Sequence, residues 1–308
     1  MTGVRIDRST GVQLPDLRAE RVLVTGASDG IGVEIARALA GAGAEAILPV
    51  RDEWKGAQAV KRIRADHPDA ALATHELDLA RLASVRSLVG RLLEDGRPID
   101  RVVLNAGIVL LGDRHRHLSV DGYELHFQTN FLGHAVLVLG ILPLLLAAPA
   151  PKVVVQVSLA AASARLDLDD RYLIEGYTPL RAYAASKLAL GLFGLELGRR
   201  HASDGLRVAL CHPGIAPDTG IAADLRAKSS WSRRLLGARL GGTPAQAAQP
   251  ALVAAMTDVA PGRFVVPSGL LGWSGPPVEA KLFRRFDDEE SAARVWNLAG
   301  RVARADAD

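Results

Sequence analysis

A single α/β domain built on a doubly wound parallel β-sheet of about seven strands, with helices on both faces (a Rossmann-type fold), is what this sequence predicts. Three observations predict it. Short apolar runs alternate with longer stretches of helical period along most of the 308 residues. The first such run, Arg21–Thr25 (RVLVT), ends in a glycine-rich turn, as a buried parallel strand leading into a helix does. No repeat or low-complexity linker divides the chain, so residues 1–308 read as one domain.

The elements follow in order. Behind the first strand, Ile31, Ile35 and Leu39 recur every four residues and mark one helix face, which Gly41 and Gly43 close. Ala46–Val50 reads as the second strand and Glu53–Arg64 as a helix. Ala71–Leu77 is the third strand, and a helix follows from about Leu82 to Leu93. Val102–Leu104 is a short fourth strand that enters Asn105-Ala106-Gly107, and the segment Tyr123–Leu146 holds one long helix. Val153–Val157, Arg207–Cys211 and Phe264–Val266 supply strands five to seven, with a long helix at Tyr183–Arg200. Residues 1–18 read as an extension, and the last residues, 301–308 (RVARADAD), as a fraying tail.

Composition narrows the class. With 49% hydrophobic and 23% charged residues, the chain can bury a large core. A net charge of +3 is too small to argue for nucleic acid. The single cysteine, Cys211, excludes an intrachain disulfide and suits a reducing cytoplasm; at a buried strand end it acts as a small apolar side chain. The N-terminal stretch MTGVRIDRSTGVQLPDL lacks the apolar core of a signal peptide, so a cytoplasmic location is expected. Residues 131–150 are apolar, but Gly133, His134, Gly140 and Pro143 interrupt them, which predicts a buried helix rather than a transmembrane span. His115, His117 and the Cys211-His212 pair lack a second ligand pair at metal spacing, so no metal is expected.

The turn Thr25-Gly26-Ala27-Ser28-Asp29-Gly30-Ile31-Gly32 has the design of a phosphate loop. Gly26 makes the sharp turn, Gly30 lets backbone approach a pyrophosphate, and Gly32 lets the helix pack close to the strand. The helix N-terminus offers free N–H groups and partial positive charge to the phosphates. At the end of strand two an acid would accept a ribose 2′-hydroxyl, but this chain has Val50 and then Arg51. Arginine suits a 2′-phosphate, with Lys55 one turn further on, and this favours NADP(H) over NAD(H), which stays as the alternative. Asp29 works against a second phosphate, and an ordinary surface pairing of Arg51 with Asp52 or Glu53 is the competing reading.

Tyr183 and Lys187, in the segment YAASK, stand four apart and share one helix face. A free tyrosine has a pKa of about 10 and is a poor acid–base at neutral pH. A neighbouring ammonium and the positive ring of an oxidised nicotinamide would favour the phenolate. By spacing alone the pair is a common accident.

In company with TGASDGIG, Asp78-Leu79, Asn105-Ala106-Gly107, Asn130, Ser158 and His212-Pro213-Gly214, the pair resembles the short-chain dehydrogenase/reductase family. The pieces occur in the family's order over roughly residues 18–300, and VDGYELHFQTNFLGH, RLDLDD and YTPLRAY are similar to its retinol-dehydrogenase-like branch and bacterial relatives. The resemblance implies Tyr183 as general acid or base, Lys187 on the nicotinamide ribose, Ser158 on the substrate oxygen, and Asn130 supporting a water that links Lys187 to solvent. It implies Asp78 on the adenine amine with the Leu79 backbone beside it; Asn105, Ala106 and Gly107 along the ribose side; and Pro213, Gly214 and Ile215 beside the nicotinamide amide. A gapless count back from Tyr183 places Ser158 at the catalytic serine; a shift of one would put Leu159 there. Asp78 alone reads almost as well as the cap of the helix at Leu82.

The pattern is strained in two places. Thr219 falls one residue late for the threonine that follows HPG in the family. The stretch from about 215 to 242, where the resemblance implies a substrate lid, carries Arg226, Lys228, Trp231, Arg233, Arg234 and Arg239, which read equally as a solvated basic loop. The long insert before Tyr183, with Asp167, Asp169 and Asp170, edges the cleft and leaves monomer or dimer open. The expected activity is hydride transfer between NADP(H) and an apolar carbonyl or alcohol. The alternatives are non-redox chemistry at the same site (dehydration, cyclisation, isomerisation) and a non-catalytic NADPH-binding protein.

Overall fold

The computed structural model describes residues 5–7, 11–168, 176–215 and 242–305. A small antiparallel hairpin, β1 (Arg5–Asp7) and β2 (Gly11–Gln13), precedes the main sheet. It lies in the stretch read as an extension, and two three-residue strands leave too short a run for alternation to show.

The main sheet contains β3 (Arg21–Val24), β4 (Glu45–Val50), β5 (Leu72–Glu76), β6 (Arg101–Leu104), β7 (Lys152–Gln156), β8 (Arg207–Cys211), β9 (Arg263–Pro267) and β10 (Pro277–Lys281). Its order is β10-β9-β8-β7-β6-β3-β4-β5. The seven strands from β3 to β9 run parallel, as expected. The eighth, β10, was not foreseen and pairs antiparallel with β9. Its sequence, PVEAK, carries Glu279 and Lys281 and is exposed over most of its length because it is an edge strand, so it lacks the long apolar run that marks a buried one. The order reverses between β3 and β6, and the crevice at such a switch point is where open α/β sheets bind ligands.

The strands alternate between two cores. Leu23, Val102, Leu104, Val153 and Val155 face one side. Val22, Val24, Val103 and Val154 face the other. The second side is covered by α1 (Gly30–Gly41) and α2 (Glu53–Asp66), and the first by α3 (Leu82–Asp95).

The long helix expected over 123–146 is broken into four pieces. They are α4 (Leu125–Phe127), a π-helical turn (Gln128–Leu132), α5 (Gly133–Gly140) and α6 (Leu142–Leu146). The last break has a plain cause: Pro143 lacks an N–H and sits in the first turn of α6. The π turn carries Asn130, and single π turns concentrate at functional sites. Phe131–Val138 are buried, as the apolar run predicted. Among the described residues no helix is long and apolar enough to cross a membrane.

Helix α7 (Pro179–Arg200) begins a turn before Tyr183, because Thr178 caps it by accepting from Arg181 N at 3.1 Å, with proline next. Helix α8 (Pro244–Met256) had no sequence expectation; a full capping box, Thr243 with Gln246, starts it. The tail expected from residue 301 is corrected in part. Helix α9 (Glu289–Arg304) continues through it, with Val302 buried in the core and its carbonyl accepting from Arg86 Nη2 at 2.8 Å. Trp296 of α9 stacks on Phe193 of α7 with centroids 5.6 Å apart, so α9 covers that face of the sheet.

Candidate active site

A cavity of about 350 Å³ opens at the carboxyl ends of β3, β4, β5 and β6. Gly26, Ser28, Asp29, Gly30, Ile31 and Gly32 form one wall. Arg51, Asp78 and Leu79 form the second, and Asn105, Ala106 and Gly107 the floor. Twelve of the residues predicted to touch a dinucleotide are therefore brought together. The loop has no room for side chains: a Cβ on Gly32 would stand 2.2 Å from the Gly26 carbonyl oxygen. Asp29 caps α1 by accepting from Gly30 N at 2.8 Å.

Arg51 follows β4 and stays exposed at the cavity wall. It does not pair with Asp52, whose carboxylate accepts from Lys55 N at 3.0 Å to cap α2. Lys55 does not line the cavity. Asp78 is not the cap of α3 either: it accepts from Ala80 N at 3.0 Å, while Asp121 takes the Leu82 N–H at 2.9 Å.

Thr25 and Asn105 hold the floor. Thr25 Oγ1 accepts from the backbone N–H groups of Asn105 and Ala106, both at 3.0 Å. Asn105 Nδ2 donates to the Thr25 carbonyl at 2.9 Å, and its Oδ1 accepts from Gln156 Nε2 at 2.8 Å. The Asn105 side chain thus serves the fold, and what it presents to a ligand is the backbone around it. Two wall residues were not foreseen. Thr129 Oγ1 and Gln156 Oε1 are buried at the cavity with no partner among the described residues. Buried polar atoms are paired as a rule, so these two take water or a ligand's groups. Their signal in the sequence is weak: one precedes Asn130, the other ends β7.

The catalytic candidates gather where β7, the π turn and α7 meet. Ser158 follows β7; its hydroxyl accepts from Ala160 N at 3.3 Å and stands near enough to the Tyr183 phenol to lower its pKa. Val157 turns the other way and packs on α7 at Gly191, so strand alternation selects Ser158 over its neighbours. Lys187, one turn after Tyr183, is buried and donates to the Gln156 carbonyl at 3.0 Å. Asn130 Oδ1 accepts from Ile108 N at 2.8 Å, and its Nδ2 donates to Ser186 Oγ at 2.9 Å. A Cβ on Gly107 would stand 3.1 Å from Asn130 Oδ1 and 3.3 Å from Lys187 Nζ, so the cavity floor touches the centre there. Burial raises the Tyr183 pKa, and the nearby Ser158 hydroxyl pulls it down. Burial brings the Lys187 ammonium down to about 8.

Comparisons with known proteins give the family. The family model described as short chain dehydrogenase matches residues 20–230. The chain belongs to the short-chain dehydrogenase family. It is 34% identical over 313 residues to retinol dehydrogenase 13 of Homo sapiens, covering 96% of this chain and 89% of the relative. It is 33% identical over 289 residues to polyprenol dehydrogenase of Danio rerio, covering 92% and 86%. A Shigella flexneri protein described as a short-chain dehydrogenase, solved in complex with NADP, matches with a TM-score of 0.63. That match has 28% identity and covers 80% of this chain and 95% of the other. This short-chain dehydrogenase is an oxidoreductase of the retinol-dehydrogenase-like branch.

Not every predicted residue joins the cavity of this short-chain dehydrogenase. Pro213, Gly214 and Ile215 follow β8 but do not line it. Ile215 N donates to the Trp273 carbonyl at 2.8 Å and Gly214 has φ 81, so backbone contacts hold this segment. Thr219, the basic residues from Arg226 to Arg239, and Asp169 with Asp170 lie outside the described residues.

Proposed function

We propose that this short-chain dehydrogenase transfers a hydride between NADP(H) and the carbonyl or alcohol carbon of an apolar substrate, with Tyr183 as the general acid or base. The observation that carries the reading is the gathering of Ser158, Tyr183 and Lys187 at β7 and α7, with Lys187 Nζ against Gly107 on the floor of the glycine-walled cavity. The cavity suits the cofactor: the Gly26–Gly32 loop leaves space for phosphates, Arg51 offers a free guanidinium to a 2′-phosphate, and the orphaned Thr129 and Gln156 oxygens await donors.

When bound, the cofactor supplies or accepts the hydride. The chain does the rest. In the direction of reduction the Tyr183 hydroxyl gives its proton to the substrate oxygen; in oxidation it takes that proton back. The Ser158 hydroxyl holds the same oxygen and steadies its developing charge. Lys187, at the floor beside Gly107, would hold the ribose. Positive charge brought by an oxidised nicotinamide opposes the upward push of burial on the Tyr183 phenol.

The substrate class follows from two supports. The named relatives are retinol and polyprenol dehydrogenases. The chain around the centre is also apolar, with Ile108-Val109-Leu110 after Gly107 and Leu159-Ala160-Ala161 after Ser158. A lipophilic aldehyde, ketone or alcohol fits such walls. The test is NADPH consumption with a panel of apolar aldehydes and ketones that includes retinal, beside a Tyr183→Phe variant. The variant is expected to lose turnover by at least about a hundredfold, the size of a general acid–base contribution, while it still binds NADPH. Full activity of Tyr183→Phe would sink the mechanism.

A further inference from the structure

The segment that carries Asn130 has a histidine four residues to either side, His126 and His134, and all three side chains are fully buried. Spacing of four puts them on one face, and the wider π turn between them offsets the drift that this spacing has in a regular α-helix. Each grips a different part of the cleft floor. His126 Nε2 accepts from Leu110 N at 3.1 Å. Asn130 binds the N–H and the carbonyl of Ile108, at 2.8 and 3.1 Å. His134 Nε2 lies 2.9 Å from Thr25 Oγ1, the hydroxyl that accepts from Asn105 N and Ala106 N.

The partners decide the tautomer of His134. Its Nδ1 faces the Asn130 carbonyl at 3.0 Å, an acceptor only, so Nδ1 carries the hydrogen. Nε2 is then an acceptor and draws the hydrogen of Thr25 Oγ1, for which the Val103 carbonyl at 3.3 Å is the longer alternative. The lone pairs of Thr25 are thereby left for the two floor N–H groups. Burial keeps the ring neutral, with a pKa pushed down to about 3, as a donor–acceptor role requires.

We propose that His134 is a positioning residue: with Nδ1 anchored on the Asn130 carbonyl, its Nε2 takes the Thr25 hydroxyl hydrogen and so leaves the Thr25 lone pairs to hold the floor, residues 105–107. This rests on the reading that the cleft takes NADP(H). His134 touches neither cofactor nor substrate and acts through Thr25 and Asn130. The consequence is that the cofactor floor and the catalytic turn are held by one ring, since Gly107 lies against both Asn130 and Lys187.

Three substitutions separate the two ends of that ring. His134→Gln can place an amide near the position of Nε2 and keep Thr25 while giving up the Asn130 carbonyl. His134→Asn can keep the Nδ1 contact and give up Thr25. His134→Phe loses both. NADPH dissociation constants are measured on folded, monodisperse full-length protein, with melting temperatures alongside. His134→Asn and His134→Phe are expected to weaken NADPH about tenfold, the worth of one buried hydrogen bond, and His134→Gln by less than about threefold. Thr25→Val should reproduce the loss, and Thr25→Ser should not; this pair and the Asn/Gln pair decide the matter if His134→Phe does not fold. A purely structural role lowers the melting temperature and leaves the affinity of the folded molecules alone. Unchanged affinity in all the variants, or equal losses in His134→Asn and His134→Gln, overturns the proposal. Wild-type protein that binds neither NADPH nor NADH overturns the cofactor reading and this inference together, whereas wild-type binding with unaffected variants overturns the inference alone.

Discussion

Between β3 and β7 the walls of the cleft are held by side chains. Thr25, Asn105, Gln156, Asn130 and His134 form one buried network whose members come from four separate stretches of chain. Beyond β8 the wall is held by backbone. Ile215 N donates to the Trp273 carbonyl at 2.8 Å, and Gly242 N donates to the Ile215 carbonyl, also at 2.8 Å. The difference bears on both reading and function. A side-chain latch needs particular residue types, so it leaves a mark in the sequence. A backbone latch accepts almost any residue except where conformation or space demands glycine, so it leaves almost none.

The largest effect expected is at Gly32, in the first region. A methyl there meets the Gly26 carbonyl oxygen at 2.2 Å and Asn105 Nδ2 at 2.6 Å, neither the free end of a flexible chain. Gly32→Ala should cost about 1–3 kcal/mol of stability, the range for overpacking, and weaken NADPH more than a hundredfold, roughly the same energy again. Thermal melting and NADPH titration check both. Wild-type-like affinity would mean that the loop is not the phosphate site.

In the second region Gly214→Ala strains a backbone at φ 81 and drives a methyl to 2.3 Å from the Trp273 carbonyl oxygen. A loss of about 1–3 kcal/mol is expected from the conformation alone. If the two regions are held independently, NADPH affinity should fall far less than in Gly32→Ala. A loss as large would break the distinction drawn here.

Arg51 probes the cofactor choice within the first region. Arg51→Ala should weaken NADPH by about tenfold, the loss of one charge-assisted contact, and leave NADH unchanged. Equal losses for both cofactors would show that Arg51 does not read the 2′-phosphate.

The last effect is in pH. Burial holds His134, in the first region, near a pKa of about 3 and His212, in the second, near about 4, against an ordinary 6.5. Between those values and 6.5 the unfolded chain binds protons that the folded chain does not. Stability must therefore fall as pH drops below about 6.5, until the folded values are reached. Urea midpoints measured from neutral pH downward should show this slope, and His134→Gln should flatten it. An unchanged slope in that variant would mean that His134 is not the neutral buried ring described here.

Much of the fold was legible. All seven anticipated strands and the glycine-rich turn depend on local pattern: apolar runs, glycine spacing and helical period. Phe264–Val266, the seventh, was located inside β9 for the same reason. The breaks in the helix around Asn130 were not legible, although Pro143 stood in view, because a π turn has no residue signature of its own. Strand β10 was missed because an exposed edge needs no apolar run. Gln156 and Thr129 escaped because a polar residue ending a strand or opening a helix turn is ordinary until its orphaned oxygen is seen.

The sequence by itself determined the parallel sheet, the glycine-rich turn after β3 and the residues of the short-chain dehydrogenase pattern, because each is written within a few neighbouring positions. Only the tertiary structure decided what those residues do to one another. Thr25 meets Asn105 across 80 positions and His134 across 109, and Asn130 meets Ser186 across 56. Hydrogen bonds over such separations exist only once the chain has packed, because burial removes water as a partner and leaves each polar atom to find another.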